Sequence, residues 1–260
     1  MSISWRSPSN LAIVKYWGKH ARQLPRNASI SLTLDNAYSE TSLKYEEKNS
    51  SGISLDFYFE GKQNEAFAQR IQKYLESVKD ELPFLEEYHL SIHSSNSFPH
   101  SAGIASSASS MSALALCLCD MERQVAITLP AEEMFYQRAS YFARLASGSA
   151  CRSIYPYAAS WGESSHIEGS SEEYATACEN LLHPVFKTFH DDILLVSKKE
   201  KSVSSSAGHQ LMEGNPFADL RYDLADKNMD SLLPVILAGD LEMFVFLAEY
   251  FAFFFLFLMI

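Results

Sequence analysis

A run of small residues that leads directly into a leucine-rich segment is the feature that most limits how this chain can fold. Five of the seven residues from Ser106 to Ser112 are serine, and Leu114, Leu116 and Leu118 follow. A flexible serine-rich linker does not continue into an apolar run of this kind. The pattern therefore predicts a buried helix whose N-terminal end is built from small residues.

The residues before this helix predict a binding geometry at its start. A short strand around Leu90 and Ile92 is followed by a loop that contains Pro99 and Gly103. A strand, a tight loop and a helix start form a phosphate-binding arrangement, because the first N–H groups of a helix lack intrahelical acceptors and carry the positive end of its dipole. No Gly-Lys-Ser/Thr follows, so this is not a Walker A loop. A closely packed small-residue helix without a ligand is the alternative.

Basic residues are concentrated at the start of an otherwise acidic chain. The formal net charge is −11, yet the first 34 residues contain no Asp or Glu and five basic side chains: Arg6, Lys15, Lys19, Arg22 and Arg26. Such a segment predicts a site for a small polyanion, with chance clustering on a solvated surface as the alternative. The overall negative charge disfavours binding to nucleic-acid backbones.

Apolar periodicity predicts both strands and helices. Alternation predicts a half-buried strand at 28–34, where Ile30, Leu32 and Leu34 share one side. Further strands are predicted at 38–45, 53–59, 155–161 and 192–197, and helices at 64–79, 106–120 and 130–146. Residues 163–180 are rich in Ser and Glu and are expected to form an exposed connection. A domain boundary close to 180 therefore divides the chain into 1–180 and 181–260.

A second serine-rich segment, Ser147–Ser153, follows the predicted end of a helix. Gly148 is a natural helix stop, and Arg152 stands among small neighbours that leave room for a ligand. The planar guanidinium fork binds carboxylate or phosphate, and pairing with a surface acid is the alternative. A third patch, 203–208, is by itself only a loop.

Cysteine usage and the N-terminus predict a reducing compartment. The four cysteines show neither C-x-x-C spacing nor a metal-ligand pattern with the eight histidines, and Cys117 and Cys119 are expected to be buried free thiols. The first ten residues contain no apolar signal segment, so we expect a cytoplasmic protein. The phenylalanine-rich end is short for a membrane span and contains Glu249, so no membrane association is expected.

Taken together, five segments resemble the diphosphomevalonate decarboxylases of the GHMP kinase superfamily. They are Asn10–Lys19 with Lys-Tyr-Trp-Gly-Lys, Pro25–Ser31, Phe98–Ala108, Ser147–Ser153 with Ser-Gly-Ser-Ala-Cys-Arg-Ser, and Val203–Ser205. Their order is that of the family, and the resemblance extends from about residue 5 to 247. Other GHMP kinases share the phosphate loop but not the first and fourth segments together.

The resemblance implies a two-domain α+β GHMP-kinase fold. It consists of an N-terminal domain like domain 2 of ribosomal protein S5 and a ferredoxin-like C-terminal domain, which is incomplete here. The implied reaction uses ATP and Mg²⁺ to phosphorylate the 3-hydroxyl of mevalonate 5-diphosphate. Loss of phosphate and carbon dioxide then gives isopentenyl diphosphate. The family also implies a homodimer.

The resemblance also implies roles for individual residues. Lys15 and Arg152 are expected to be catalytic, Lys15 near the transferring phosphate and Arg152 on the carboxylate that is lost. The expected substrate-binding residues are Tyr16, Lys19, Ser147, Ser149, Arg152 and Ser205. The expected ATP-binding residues are Ser101, Gly103, Ser106 and Ser107, of which Ser107 also contacts the metal.

One family feature is missing from the sequence. The family carries its catalytic Asp in an Asp-Ala-Gly-Pro-Asn segment, and no such segment occurs here. We therefore expect a missing or altered C-terminal part and no decarboxylation by these 260 residues alone. The carboxylates at 219, 223, 226 and 230 are expected to be solvated on a loop and helix surface. A mevalonate 3-kinase, a monophosphate decarboxylase and a noncatalytic nucleotide-binding or partner-binding protein remain alternatives.

Overall fold

The computed structural model describes residues 1–99, 104–125, 132–192 and 212–257. The strands are β1 (Ser2–Val14), β2 (Lys19–His20), β3 (Leu24–Pro25), β4 (Ser29–Glu47), β5 (Ser54–Phe59), β6 (Lys62–Gln63), β7 (Tyr88–Asn96), β8 (Ala158–Trp161) and β9 (Ala175–Ala177). The α-helices are α1 (Glu65–Val78), α2 (Ser106–Val125), α3 (Glu132–Ala146), α4 (Ala218–Ala238) and α5 (Leu241–Phe257). Short 3-10 helices are Pro83–Glu86, Gly148–Ile154, Glu179–Leu181 and Pro184–Thr188.

One long strand organises the main sheet. β4 pairs with β1 along one edge and with β8 and then β7 along the other, and the order across the sheet is β6-β5-β7-β4-β8-β9. The two strands predicted at 28–34 and 38–45 are therefore a single strand. A register shift at Pro8/Ser9 leaves residues 35–37 of β4 without partners in β1, which breaks the alternation that the sequence shows.

The serine-rich helix is buried, as the sequence predicts. The buried side chains of α2 include Ala108, Ser112, Leu114, Leu116 and Leu118, so they surround the helix on all sides. A helix that is apolar all round belongs inside a core rather than on its surface. It packs between the sheet, α3 and the 3-10 helix Gly148–Ile154. This packing fixes the N-terminus of α2 near β1 and the second serine-rich segment.

A second apolar cluster joins the sheet to α4. It contains Val14 and Ile30 from the sheet and Met229 and Leu232 from the helix. Ile167 and Cys178 are also buried in it, so the predicted exposed connection at 163–180 is exposed or half-buried over most of its length but is anchored at these residues. Pairing of β9 with β8 draws that connection onto the sheet. Among the described residues, no helix combines the length and the apolar character that crossing a membrane requires.

Candidate functional site

The second serine-rich segment folds back against β1 directly after α3. Ser147 has an extended backbone, with φ −160° and ψ 115°, which ends α3, and the 3-10 helix Gly148–Ile154 follows. Asn10 on β1 then fixes this turn, because its Nδ2 donates to the Ser149 carbonyl (3.1 Å) and to Ser153 Oγ (2.7 Å). The predicted helix stop at Gly148 is confirmed, and the turn carries Arg152 into the interior.

Arg152 is the central charged group of this region. Its side chain is 1% exposed, and Nη1 donates to Ser29 Oγ at 2.5 Å. Its Nε is buried without a hydrogen-bond partner, and no carboxylate within the described ranges forms an ion pair with it. Burial lowers the pKa of the guanidinium, but arginine remains charged in proteins. The alternative of an arginine paired with a surface acid is therefore not what this part of the structure contains.

Aromatic rings and a lysine surround the guanidinium. The Arg152 Cζ lies 5.5 Å from the centre of the Tyr16 ring and 5.9 Å from that of Trp161. Lys19 Nζ lies 5.6 Å from the Tyr16 ring, on which the two cations therefore converge. Burial raises the pKa of Tyr16 to about 12, despite hydrogen bonding to Ser149, so its hydroxyl stays protonated. Burial lowers the pKa of Lys19, because desolvation disfavours the ammonium.

The structure thus brings together four of the predicted residues: Tyr16, Lys19, Ser149 and Arg152. Ser147 precedes Gly148, whose missing side chain leaves room for the neighbours, since a Cβ there would lie 2.9 Å from Trp161 Cη2 and 3.3 Å from Lys19 Cε. Trp161 and Ser29 were not predicted, because strand pairing and not local sequence brings them here. Ser205 lies outside the described residues.

Lys15 lies in a different place from Lys19. Its side chain is exposed and borders a cavity of about 260 Å³ between β1, α4 and α5, together with Trp17 and Arg221. Its carbonyl accepts a hydrogen bond from Asn27 Nδ2 at 2.9 Å. The sequence prediction that Lys15 and Lys19 serve one reaction centre stays a prediction.

A cleft of about 760 Å³ opens beside Lys19. Lys19 and Arg26 lie on one side, and the other side is formed by Asp219, Tyr222, Asp223 and Asp226 of α4. Three of the four aspartates predicted to be solvated, Asp219, Asp223 and Asp226, are exposed on α4 and line this cleft. Asp226 Oδ1 accepts a hydrogen bond from the Ala28 N–H at 3.1 Å. The fourth, Asp230, forms an ion pair with His166 at 3.2 Å.

The predicted phosphate site lies at the start of α2. Ser106 and Ser107 border a small cavity of about 70 Å³, and Ser101 and Gly103 lie outside the described residues. Phe57, Phe59 and Phe67 line the apolar part of this cavity, and Arg70 and Asn96 line its polar part. The Asn96 Nδ2 is buried and has no partner in the described part of the chain. The cavity therefore combines an apolar wall with one unused amide.

Ser7 connects the two predicted binding regions. Its Oγ donates to the Ser153 carbonyl (2.8 Å) and forms a hydroxyl–hydroxyl hydrogen bond with Ser112 Oγ of α2 (2.6 Å). Because all three groups are buried, this contact holds the α2 end of the molecule against the segment that carries Arg152. Within the described ranges, no three His, Cys, Asp or Glu side chains are grouped to hold a metal ion.

Comparisons with known proteins identify the family of this chain. The model of the diphosphomevalonate decarboxylase-like N-terminal domain matches residues 7–174. The diphosphomevalonate decarboxylase of Eremothecium gossypii is 31% identical over 222 residues, which is 80% of this chain and 52% of the relative. The chain therefore spans about half the length of the curated relatives that it matches.

Solved structures of diphosphomevalonate decarboxylases have the same fold as this chain. A mevalonate diphosphate decarboxylase from Legionella pneumophila has a TM-score of 0.74 and 27% identity, covering 96% of this chain and 75% of that one. MDDEF in complex with MVAPP, AMPPCP and magnesium has a TM-score of 0.73 and 27% identity, covering 96% of this chain and 72% of that one. The α+β architecture is therefore the one the sequence predicts, and the chain belongs to the diphosphomevalonate decarboxylase-like N-terminal domain family.

Proposed function

We propose that this chain provides the substrate-binding and ATP-binding part of an ATP-dependent mevalonate 5-diphosphate decarboxylase. The observation that carries the proposal is Arg152, a buried guanidinium with an unpaired Nε, positioned beside Tyr16 and close to Lys19. A buried charge without an acidic partner is costly unless a ligand neutralises it. A substrate with a carboxylate and a diphosphate supplies anions for both Arg152 and Lys19.

In this proposal each side chain meets one part of the substrate. Arg152 binds the carboxylate that is lost as carbon dioxide, through a charge-assisted fork. Lys19 and the protonated Tyr16 hydroxyl bind the diphosphate, and Ser147, Ser149 and Ser205 orient the carbon skeleton. Lys15 stabilises charge that develops on the transferring phosphate. Phosphorylation of the tertiary 3-hydroxyl makes it a leaving group, and the electrons of the breaking carbon–carboxylate bond then form the alkene.

ATP and Mg²⁺ are proposed to bind at the start of α2. Ser101, Gly103, Ser106 and Ser107 would contact the phosphates, with the Ser107 hydroxyl also on the metal. The unused Asn96 amide and the hydroxyls at the helix start fit these ligands. When bound, Mg²⁺ offsets phosphate charge. The similar protein MDDEF is found in complex with MVAPP, AMPPCP and magnesium, which supports a nucleotide and magnesium as ligands.

The proposal extends to the whole protein. We propose a boundary near residue 180 between the 1–180 and 181–260 domains and a cytoplasmic location, both from the sequence pattern, and a homodimer, which the family resemblance implies. The aspartates of α4 that line the cleft are not assigned as the catalytic base. An activity assay of residues 1–260 therefore also measures whether this chain alone supports turnover.

Substrate binding and turnover test the proposal in one experiment. Calorimetry with mevalonate 5-diphosphate gives the Kd, and assays with ATP and Mg²⁺ measure ADP and carbon dioxide. We expect Arg152→Gln to weaken binding at least tenfold, because it removes a charge-assisted contact worth about 1.5–3 kcal/mol. Arg6→Gln is the matched control, because Arg6 pairs with Glu40 on the exposed side of the sheet.

The substrate series separates the alternatives. Mevalonate or mevalonate 5-phosphate bound more tightly than the diphosphate would favour the 3-kinase or the monophosphate decarboxylase. ADP release without carbon dioxide would indicate a kinase. Binding of mevalonate 5-diphosphate that is equal in the parent, Arg152→Gln and Arg6→Gln would contradict the proposed site.

A further inference from the structure

The loop that carries Lys19 contains a strained turn. β2 and β3 form a hairpin through Ala21, Arg22 and Gln23, and Ala21 (φ 41°) and Gln23 (φ 64°) are both in the left-handed region. Residues other than glycine enter this region at a cost in free energy. A short two-stranded hairpin does not supply that free energy itself. Contacts from outside the hairpin must therefore hold the turn.

Arg144 supplies such a contact from the interior. It lies in the last turn of α3 and is 1% exposed. Its Nη1 donates to the Arg22 carbonyl, in the middle of the strained turn. Its other nitrogens hold the segment before β9, since Nε donates to the Glu173 carbonyl (2.6 Å) and Nη2 pairs with the Glu173 carboxylate (2.6 Å). One buried guanidinium thus joins three separate parts of the chain.

The turn also fixes the position of the Lys19 ammonium. Gln23, the second strained residue, accepts a hydrogen bond from Lys19 Nζ through its Oε1 at 2.7 Å. The backbone of Gln23 directly follows the Arg22 carbonyl that Arg144 holds. Displacement of that carbonyl therefore moves the acceptor that fixes the ammonium.

We infer that Arg144 is a positioning residue that sets the location of Lys19 for binding a diphosphate group. This inference rests on the proposed function, because Lys19 is the proposed diphosphate ligand. Lysine cannot replace Arg144 fully, because a single ammonium cannot reproduce the planar fork that reaches two carbonyls and a carboxylate. The side chain of Arg22 forms a separate, partly exposed ion pair with Glu81 (2.7 Å), which does not hold the Arg22 carbonyl.

Arg138 provides a matched control on the same helix. It also forms an ion pair with a glutamate, Glu122, with both contacts at 2.6 Å. Its other contacts are with the Glu81 carbonyl and the Phe142 ring, and not with the hairpin backbone. Arg144→Met and Arg138→Met therefore both remove an arginine–glutamate pair from α3. Only Arg144→Met also removes the hydrogen bond to the Arg22 carbonyl and so releases the turn.

The test measures binding of inorganic pyrophosphate by calorimetry and hydrogen exchange of the amides of residues 20–25. We expect Arg144→Met to weaken pyrophosphate binding about tenfold and to speed exchange in the hairpin, and Arg144→Lys to fall in between. Arg138→Met should change the pyrophosphate Kd less than twofold at a similar loss of Tm. Glu173→Gln, which keeps the guanidinium and both carbonyl acceptors, should have a smaller effect than Arg144→Met and serves if Arg144→Met does not fold.

The outcomes separate this inference from the proposed function. If Lys19→Met abolishes pyrophosphate binding but Arg144→Met, Arg144→Lys and Glu173→Gln leave the Kd and the exchange unchanged, the positioning role is wrong and the binding site stands. If Lys19→Met leaves pyrophosphate binding unchanged, the proposed site is wrong, and the inference falls with it. Equal weakening by Arg138→Met and Arg144→Met would also overturn the inference, because the effect would then be one of general stability.

Discussion

At the residue scale, Gly148 shows how one missing side chain shapes the candidate site. A Cβ at this position would lie 2.9 Å from Trp161 Cη2 and 3.3 Å from Lys19 Cε. Trp161 is fully buried and cannot move away, so Gly148→Ala forces overpacking. We expect a loss of about 1–3 kcal/mol in the free energy of unfolding, measured by urea denaturation.

Gly18 is the control for this substitution. A Cβ there meets the hydroxyl end of Tyr222, a half-buried side chain that can turn away. Gly18→Ala should therefore cost less than Gly148→Ala, and Tyr222→Ala should relieve what cost remains. A larger loss for Gly18→Ala than for Gly148→Ala would contradict the packing account.

The site residues that the sequence analysis identified and those that it missed differ in how far apart along the chain their contacts lie. Tyr16, Lys19 and Arg152 were identifiable because each belongs to a short motif with a charge or a ring that suits an anion. Trp161 and Ser29 join them only because β8 pairs with β4, across 132 residues. No local pattern encodes that pairing, so the sequence alone could not place a tryptophan against the buried guanidinium.

At the scale of elements, a carboxylate adds a polar contact to the apolar packing between α4 and the sheet. Asp226 Oδ1 accepts a hydrogen bond from the Ala28 N–H (3.1 Å), next to the start of β4. Desolvation raises the pKa of Asp226, so the negative charge costs free energy there. Asp226→Ala leaves the amide without its acceptor and should lower the free energy of unfolding by about 1 kcal/mol. Asp226→Asn keeps an acceptor oxygen without the charge and should cost less.

The pH dependence of this contact has a defined sign. The folded-state pKa of Asp226 lies above its unfolded value, so the contribution of this group to stability is full at low pH and falls as pH rises through the folded-state pKa. Asp226→Asn should remove that fall. A parent and an Asp226→Asn protein with identical stability profiles from pH 3 to pH 7 would rule out this account.

Secondary structure was predictable where periodicity continued and not where it was interrupted. The amphipathic pattern of α1 predicted residues 64–79, and the helix is Glu65–Val78, with the Asn64 side chain accepting from the Phe67 N–H. β4 was predicted as two strands, since its unpaired residues 35–37 disturb the alternation. The long strand β1 was not predicted at all, because its polar residues pair in the sheet but show no simple alternation.

At the scale of the whole molecule, the fold brings a basic segment and an acidic segment of the sequence together at one cleft. The acid-free N-terminal segment supplies Lys19 and Arg26 to the cleft, and acidic α4 supplies its opposite wall. The sequence showed the basic segment but not its acidic counterpart, because the two are about 200 residues apart. A ligand in this cleft must therefore be bound against carboxylates, which makes its affinity sensitive to ionic strength.

The four cysteines make the whole fold sensitive to alkaline pH. All are buried free thiols, and burial raises the pKa of Cys117 and Cys151 to about 12, that of Cys178 to about 11 and that of Cys119 further. In the unfolded chain these thiols ionise near pH 8.5. Their stabilisation of the fold is therefore complete below that pH and is lost as pH rises through the folded-state values.

We expect the urea midpoint, measured under reducing conditions, to fall steadily between pH 8.5 and pH 10. Each fully buried thiol contributes up to about 1.4 kcal/mol per pH unit in this range, and the buried tyrosines add to the fall only above about pH 10. Lys19 has the opposite effect on stability. Burial lowers its pKa, so the free-energy cost of burying its positive charge disappears as pH rises, but it is one group against four thiols. Cys117→Ala should make the fall shallower in proportion, and an unchanged slope in that variant would show that the thiols do not cause it.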